Sequence, residues 1–233
     1  MGHIRSGLSV LALADARFPN GGHIHSGGVE QAVASGLVTD VADLREFLFG
    51  RLCSAGRLQA VFAAAAARAT TKNVHNGHWA VLDRELDART PSFAQRKASR
   101  AQGRGLIRAG QAAWPCFALA DLIAATPRPH QPIVLGVLTA ASGAGAWEAA
   151  LVAGYLAVSG ASSAAVRLLG LDPFAVNAVV AELSGDLDAI ADEAAAAAGS
   201  DPAALSAPGS PALDLLAEAH DRHHREEVRL FAS

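Results

Sequence analysis

The sequence of 233 residues contains two cysteines, few aromatic side chains and almost no lysine. Cys53 and Cys116 lie far apart, and no C-x-x-C pair occurs. Two such thiols do not make a disulfide framework. We therefore interpret them as small core side chains of a protein in a reducing compartment.

A surplus of positive charge is also missing. The formal net charge is -3, whereas nucleic-acid-binding domains carry an excess of Lys and Arg that neutralises phosphates. This excludes a general DNA- or RNA-binding protein. Because Lys72 and Lys97 are the only lysines, most positive charge is arginine, whose planar guanidinium suits contacts with carboxylates at protein interfaces.

The signatures of common enzymes are absent too. Neither lysine follows a glycine, as the lysine of a phosphate-binding G-x-x-x-x-G-K-[ST] loop must. The run Gly103-Arg104-Gly105 lacks the third glycine of a dinucleotide-binding motif, and neither G-x-S-x-G nor H-E-x-x-H occurs. We therefore expect that the chain does not bind GTP or ATP through such a loop.

No long run of large apolar residues points to a membrane. The short apolar run near the start is followed by Asp15, unlike a signal peptide. Residues 149–166 are uncharged, but they are filled with small residues rather than the Leu, Ile and Phe that favour insertion. We expect a cytoplasmic protein in which this stretch is buried, and keep a small-residue membrane bundle as an alternative.

The chain is rich in alanine. Hydrophobic residues make up 51% of the chain and charged residues 18%, so the chain can bury enough apolar surface to fold. Alanine is the best helix former, and no alternation at period two suggests a sheet. We predict an all-α fold, a single helical-bundle domain of about ten helices with a C-terminal helix and a short tail.

Proline and glycine set the expected helix boundaries. A proline after a residue that can cap marks a helix start, as in Thr90-Pro91, Asp172-Pro173, Asp201-Pro202 and Ser210-Pro211. Possible stops are Gly36, Gly110, Gly160 and Gly199. The expected helices are Leu8–Ala16, Val29–Ser35, Val41–Ala69 with a break near Gly56, Trp79–Ala88, Pro91–Ala113, Phe117–Ala125, Pro132–Ala141, Ala146–Ser159, Ser163–Leu169, Pro173–Ala198 and Pro211–Val228.

The segment Gly199–Ser210 is rich in Gly, Ser and Pro. We interpret it as a linker too polar and broken to pack. It divides the chain into a helical body, 1–198, a linker, 199–210, and a C-terminal helix with its tail, 211–233.

The first distinctive stretch runs from Phe18 to Glu30. Its Pro, Asn and Gly residues favour a tight turn, Ser26 can cap the next helix, and Glu30 suits that helix's first turn. His23 and His25 can each offer a nitrogen to a metal ion, but two imidazoles are an incomplete ligand set. We favour hydrogen bonds or partner contacts for them, with a metal site as the alternative.

Histidines recur near the C-terminus. His220 and His224 are spaced i, i+4, so they share a helix face and can chelate one ion, with Glu218 or Glu227 adding an oxygen. The sequence places no third nitrogen or sulfur ligand beside them. We favour a solvated helix end whose positive charge suits the helix dipole, and chelation stays open.

Arginine recurs at every fourth residue, at Arg96, Arg100, Arg104 and Arg108. On a helix this spacing makes one basic stripe. The stripe is a solvated face, a contact with an acidic protein surface, or a phosphate-binding site.

A set of short motifs runs in order along nearly the whole chain. They are Leu11-x-Leu-Ala-Asp15-x-x-Phe-Pro19-x-Gly-Gly22-x-x-His25-Ser26-x-Gly-x-Glu30, Gly36, the Leu44–Leu48 stripe, Leu86-Asp87-Ala88, Ala98-Ser99-x-x-Gln102-Gly103-Arg104, His130, Ala164-Ala165-x-Arg167-Leu168 and Arg229-Leu230-Phe231-x-Ser233. This ordered set, with these spacings, resembles the UreF family of urease accessory proteins.

The resemblance implies an all-α fold, a homodimer and no catalysis. UreF proteins bridge the accessory proteins UreD and UreG, and the complex acts on the urease apoprotein to insert nickel, with GTP hydrolysed by UreG. The resemblance therefore implies no stably bound cofactor or metal here, with nickel at most in transit. The alternative is a nickel-binding metallochaperone that uses His220, His223 and His224 or the N-terminal histidines.

Partner contacts are expected on one loop, one helix and the tail. The residues assigned to them are Pro19, Gly22, His23, His25, Ser26, Glu30, Arg100, Arg104, Arg229, Leu230 and Phe231. The tail combines an arginine with an aromatic anchor, which suits a segment that orders on docking. The chain departs from the family at His23, where an aromatic residue is common, and at Leu171 to Asn177, where the usual Leu-Gly-Gln-x-x-Gly-Gln is replaced.

Overall fold

The computed structural model describes residues 3–15, 17–19, 26–74 and 77–230, without the side chains of residues 3–6 and 224–230. Across these ranges the chain forms helices and no strand. The buried side chains make one continuous core. The prediction of a single all-α domain is confirmed.

The helices follow one another with short connections. They are α1 (His3–Ala14), α2 (Val29–Ala34), α3 (Val41–Arg51), α4 (Arg57–Thr71), α5 (His78–Ala88), α6 (Phe93–Ala113), α7 (Phe117–Ala125), α8 (Gln131–Ala141), α9 (Ala146–Leu169), α10 (Pro173–Glu182), α11 (Ser184–Ala197) and α12 (Pro211–Leu230). A π-helical turn, Leu52–Gly56, joins α3 to α4, and a 3-10 turn, Pro202–Ala204, precedes α12.

Three helices, α4, α8 and α9, form the centre of the bundle. On α4 the contact is made by alanines, and Ala60, Ala63, Ala64 and Ala67 are fully buried. A Cβ atom on Gly136 of α8 would lie 2.1 Å from the carbonyl oxygen of Ala63. Because the distance between packed helices depends on the side chains at the contact, these small residues bring the two backbones unusually close.

Among the described helices, α9 is the one long and apolar enough to cross a membrane by length and composition. It has 24 residues, and 61% of its most apolar window is buried inside the protein. Core helices of soluble proteins have the same properties.

The expected stop at Gly160 is wrong, because α9 continues to Leu169. A Cβ atom on Gly160 would meet no atom within 4 Å, so this glycine serves neither a turn nor a close contact. Gly170 ends the helix instead, with a left-handed φ of 65°, and Pro173 follows three residues later.

Two other long segments differ from the prediction. The break predicted near Gly56 is wrong, because the chain stays helical through the π-helical turn Leu52–Gly56 into α4. The segment expected to run unbroken from Pro173 to Ala198 is instead two helices, separated at Leu183. A Ser-Gly pair follows Leu183, and both residues are poor helix formers.

The proline start signals hold in part. Asp172-Pro173 and Ser210-Pro211 begin α10 and α12 as predicted. Thr90-Pro91 precedes Ser92, whose side chain caps α6, and Asp201-Pro202 begins only the 3-10 turn. Gly110 does not end a helix: it lies within α6.

The segment Gly199–Ser210 packs against the body, contrary to the unpacked linker expected from its composition. Leu205 is 3% exposed and joins the core. Arg89 donates from Nη2 to the carbonyl oxygens of Ala203 at 3.0 Å and Leu205 at 3.4 Å. These bonds satisfy backbone groups that a broken segment otherwise leaves to water. The division of the chain at residue 198 stays a prediction.

Candidate functional site

A cavity of about 570 Å³ lies between α6, α9 and α12. On α9 its wall is a row spaced four residues apart, formed by Tyr155, Ser159, Ser163 and Arg167. Parts of α6 and α12 form other walls, and residues 26–30 close one end. The N-terminal stretch, the arginine helix and the C-terminal helix, each singled out in the sequence, therefore meet around one space.

The chain leading into this stretch is anchored on α6. The rings of Phe18 and Trp114 stack with their centroids 6.2 Å apart and an interplanar angle of 16°. Pro19, which follows, is exposed. Gly22, His23 and His25 lie outside the described residues, so the contacts assigned to them stay predictions.

Residues 26–30 lead into the short helix α2. The predicted cap at Ser26 is wrong, because Gly28 occupies the N-cap position with a left-handed φ of 93°. Glu30 lies in the first turn, as predicted, and is exposed. A carboxylate there favours the helix through the positive end of its dipole.

Arg51 is hydrogen-bonded to this stretch, and the sequence did not identify it as a site residue. Its Nη1 donates to the carbonyl oxygen of Gly27 at 2.5 Å, and its Nε donates to that of Ala157 at 2.6 Å. Burial lowers the pKa of Arg51 to about 10, so the guanidinium stays charged at neutral pH. One signal was available, since Arg51 is a lone charge between Leu48 and Leu52 in an apolar stripe.

Helix α12 contacts α2 through its histidines. His223 Nδ1 lies 3.1 Å from Gln31 Oε1, and His220 Nε2 lies 4.0 Å from Glu30 Oε2. The side chain of His224 is outside the description, so chelation by His220 and His224 stays untested. The imidazoles of His220 and His223 contact α2.

Two carboxylates of α12 also bind the start of α6. Asp214 Oδ1 accepts from Ser92 N at 3.1 Å and from Gln95 Nε2 at 3.1 Å. Glu218 Oε1 accepts from Ser92 Oγ at 2.7 Å and from Ala94 N at 2.9 Å. Burial raises the pKa of Asp214. These bonds satisfy donors that the first turn of a helix leaves unpaired, and they fix α12 across the end of α6.

The arginines at every fourth position do not form one exposed face. Arg96 donates to the carbonyl oxygens of Thr90 and Pro91, both at 2.7 Å. Arg100, expected on the partner surface, is turned inward by two acidic residues of α5. Arg104 and Arg108 are exposed. Only the C-terminal half of the stripe is therefore open to a partner.

Arg100 belongs to a half-buried network around His130. Its Nη2 lies 2.9 Å from Asp83 Oδ2 and 2.9 Å from Asp87 Oδ2. His130, 1% exposed, has Nε2 2.8 Å from Asp87 Oδ1 and Nδ1 3.0 Å from Ser99 Oγ. Burial lowers the pKa of His130. Burial alone would raise the pKa of Asp87, but His130 and Arg100 outweigh it and hold that pKa below its ordinary value.

This network has the donors of a metal site without the room for one. Ligand atoms of Asp83, Asp87 and His130 lie within 4.8 Å of one another. A cation between the carboxylates would compete with the Arg100 guanidinium, which already bonds both. The cluster therefore fits a structural ion network joining α5, α6 and the start of α8 better than a metal centre.

Several of the scattered sequence motifs meet at this network. His130 bonds both Asp87 and Ser99. Gly103 is needed because a Cβ atom there would lie 2.2 Å from the carbonyl oxygen of Pro129. Of the tail, the Arg229 and Leu230 side chains and all of Phe231 lie outside the described residues, so their predicted role stays a prediction.

Comparison with known proteins gives a consistent result over the length of the chain. A family model described as UreF matches residues 38–184. The urease accessory protein UreF of Mycobacterium sp. (strain JLS) is 46% identical over 225 residues, covering 97% of this chain and 98% of the relative. That of Mycobacterium bovis (strain BCG / Pasteur 1173P2) is 45% identical over 227 residues, covering 96% and 97%. That of Mycolicibacterium vanbaalenii is 44% identical over 230 residues, covering 97% and 98%.

Proposed function

Because this chain belongs to the UreF family of urease accessory proteins, we propose that it acts without catalysis of its own, as an assembly factor in urease maturation. Its partners are the accessory proteins UreD and UreG and the urease apoprotein. It brings them together for nickel insertion, while UreG hydrolyses GTP. The observation that carries this proposal is the similarity to urease accessory proteins over 97% of the chain.

The arrangement of polar groups supports a binding role. Asp83 and Asp87 of α5, Arg100 of α6 and His130 are bonded to one another in the His130 network. Exposed charge is found on Glu30 of α2 and on Arg104 and Arg108 of α6. Exposed charged groups of both signs suit specific recognition of other proteins.

A homodimer and a cytoplasmic location belong to the same proposal. Leu8 and Leu11 on α1 are 77% and 69% exposed. Their spacing of three residues puts them on one face of the helix, where a second chain can cover them. Nickel passes through the assembled complex in transit, without a stable site on this chain.

The tail tests the proposal. Deletion of residues 229–233 is expected to weaken co-purification with UreD while leaving the far-UV circular dichroism nearly unchanged, since the described hydrogen bonds of α12 to α2 and α6 lie within residues 214–223. A variant of unchanged length, with Arg229, Leu230 and Phe231 all replaced by Ala, separates the loss of side chains from the loss of chain.

Urease activity and nickel content in cells that lack the wild-type protein supply the functional readout. Both are expected to fall with the truncated chain and to recover with the full chain. Unchanged co-purification and full activation by both variants would contradict the assembly role assigned to the tail.

A further inference from the structure

Arg51 joins three parts of the chain that are distant in sequence. It ends α3, while its two acceptors lie on the stretch before α2 and in the middle of α9, at Gly27 and Ala157. The acceptors are backbone carbonyls rather than a carboxylate. The guanidinium is half-buried and lines the cavity, and its two hydrogen bonds offset the cost of taking the charge out of water.

The backbone around Arg51 is shaped to receive the guanidinium. Gly27 has a φ of 65°, and a Cβ atom on it would lie 2.8 Å from Cζ of Arg51. The left-handed φ favours glycine, and an added Cβ would displace the guanidinium of Arg51 from this position. The π-helical turn that follows Arg51 ends at Gly56, where a Cβ atom would lie 3.5 Å from the Cβ of Ala157. The turn thus passes close to α9 where Arg51 binds it.

The stretch that Arg51 holds has little stability of its own. Helix α2 has six residues, and isolated helices of that length are unstable because nucleation is costly. Its start is bonded to Arg51 through Gly27, and its first turn faces α12 through Glu30 and Gln31. A contact at Gly27 therefore bears on the position of α12 as well.

We propose that Arg51 is a positioning residue for assembly, which holds residues 26–31 and, through them, α12 in the conformation that docks on the partner proteins. The proposal rests on the proposed function. Loss of the two carbonyl bonds leaves the helical core intact but makes the docking conformation one of several. The apparent affinity for the partner proteins is then the intrinsic affinity multiplied by the fraction of molecules in the docking conformation.

Arg51→Gln and Arg51→Lys test the contact from the side of the guanidinium. Hydrogen exchange of the amides of residues 27–31 is expected to become faster, while exchange in α4 and α8 stays as in the wild type. Binding to the co-purified accessory proteins is expected to weaken about tenfold for Gln, as for a docking conformation populated at about one tenth. Lys is expected to lie between Gln and the wild type, because its ammonium cannot span both carbonyls as the planar fork does.

Arg57→Gln is the matched control. Arg57 begins α4, six residues after Arg51, and pairs with Glu193 at the surface. It is expected to leave both exchange and binding unchanged. Faster exchange throughout the protein in Arg51→Gln, together with a lower midpoint of thermal unfolding for the whole fold, would overturn the positioning role in favour of a structural one.

Gly27→Ala tests the same contact from the other side, and it keeps the proposal open to refutation should Arg51→Gln fail to fold. Its control is Gly170→Ala, which has the same φ of 65° but no atom within 4 Å of the added Cβ. Weaker binding in Gly27→Ala alone supports the proposal, and equal binding by both variants overturns it.

The two proposals fail differently. Absence of any complex between the wild-type chain and the urease accessory proteins contradicts the proposed function. Normal complex formation by Arg51→Gln and Gly27→Ala, with faster exchange at residues 27–31, leaves that function standing and removes only the role of Arg51.

Discussion

At the scale of single residues, the central point is how His130 is held. Its ring nitrogens contact Asp87 and Ser99, while Arg100 bonds both Asp83 and Asp87. The sequence offered His130 as a motif residue and Arg100 as part of an exposed stripe. It could not indicate that they meet, because the acidic residues that turn Arg100 inward lie on a different helix.

The stability of the fold is expected to depend on pH through His130. Burial holds the pKa of its folded form below the ordinary value of 6.5, so the unfolded chain binds the proton more readily. The free energy of unfolding therefore falls as the pH is lowered below about 6.5. Urea denaturation at several pH values between 7.5 and 5 gives the free energy of unfolding in water at each pH by linear extrapolation. The slope of this free energy against pH is the quantity to compare.

The matched variants are His130→Gln and His220→Gln. His220 is half exposed, and its replacement is expected to leave the pH slope of the wild type in place. A slope in His130→Gln as steep as that of the wild type would assign the pH dependence to another group. His78, whose pKa burial also holds below its ordinary value, is the first such candidate.

At the scale of helices, most elements could be predicted and most of their contacts could not. Local signals sufficed at Asp172-Pro173 and Ser210-Pro211, where capping and proline geometry act within a few residues. They failed at Gly160, because a glycine ends a helix only where the chain turns, and the turn is at Gly170. They failed at Gly110 too, where the glycine allows close packing inside α6: a Cβ atom there would lie 2.3 Å from Cδ2 of Leu138 on α8.

Two glycine substitutions are expected to change stability in opposite directions. Gly160→Ala adds a methyl group where no atom lies within 4 Å, so the free energy of unfolding should rise by about 0.5–1 kcal/mol through helix propensity. Gly136→Ala places its methyl 2.1 Å from the Ala63 carbonyl oxygen, and should lower it by about 1–3 kcal/mol.

Thermal and urea unfolding of the two variants measure these changes against the wild type. A loss of stability in Gly160→Ala would show that atoms lining the cavity come close enough to clash with the added methyl group. An unchanged Gly136→Ala would show that α8 can move away from α4, contrary to the close contact seen here.

At the scale of the whole molecule, exposed charge is expected to set the rate at which partners meet. Arg104 and Arg108 are the exposed half of the arginine stripe. Reversal of both charges, in Arg104→Glu/Arg108→Glu, is expected to slow association with the accessory proteins several-fold and to reduce its dependence on salt. The fold should be unaffected, since both side chains are solvated.

Lys72→Glu is the control, because Lys72 is also exposed but follows the last turn of α4 instead of lying on α6. Association rates measured at low and high salt distinguish the cases. Equal rates for the two charge reversals would show that the exposed arginines do not face the partners.

The alanine contact between α4 and α8 tolerates substitution by a smaller side chain but not by a larger one. Replacing one of these alanines by glycine removes a single methyl group, whereas any larger side chain must separate two backbones that Gly136 brings together. Cavity filling, a common route to greater stability, is therefore closed at the centre of this protein. Variation that changes its partners without unfolding it is left to the helix faces and loops at the periphery.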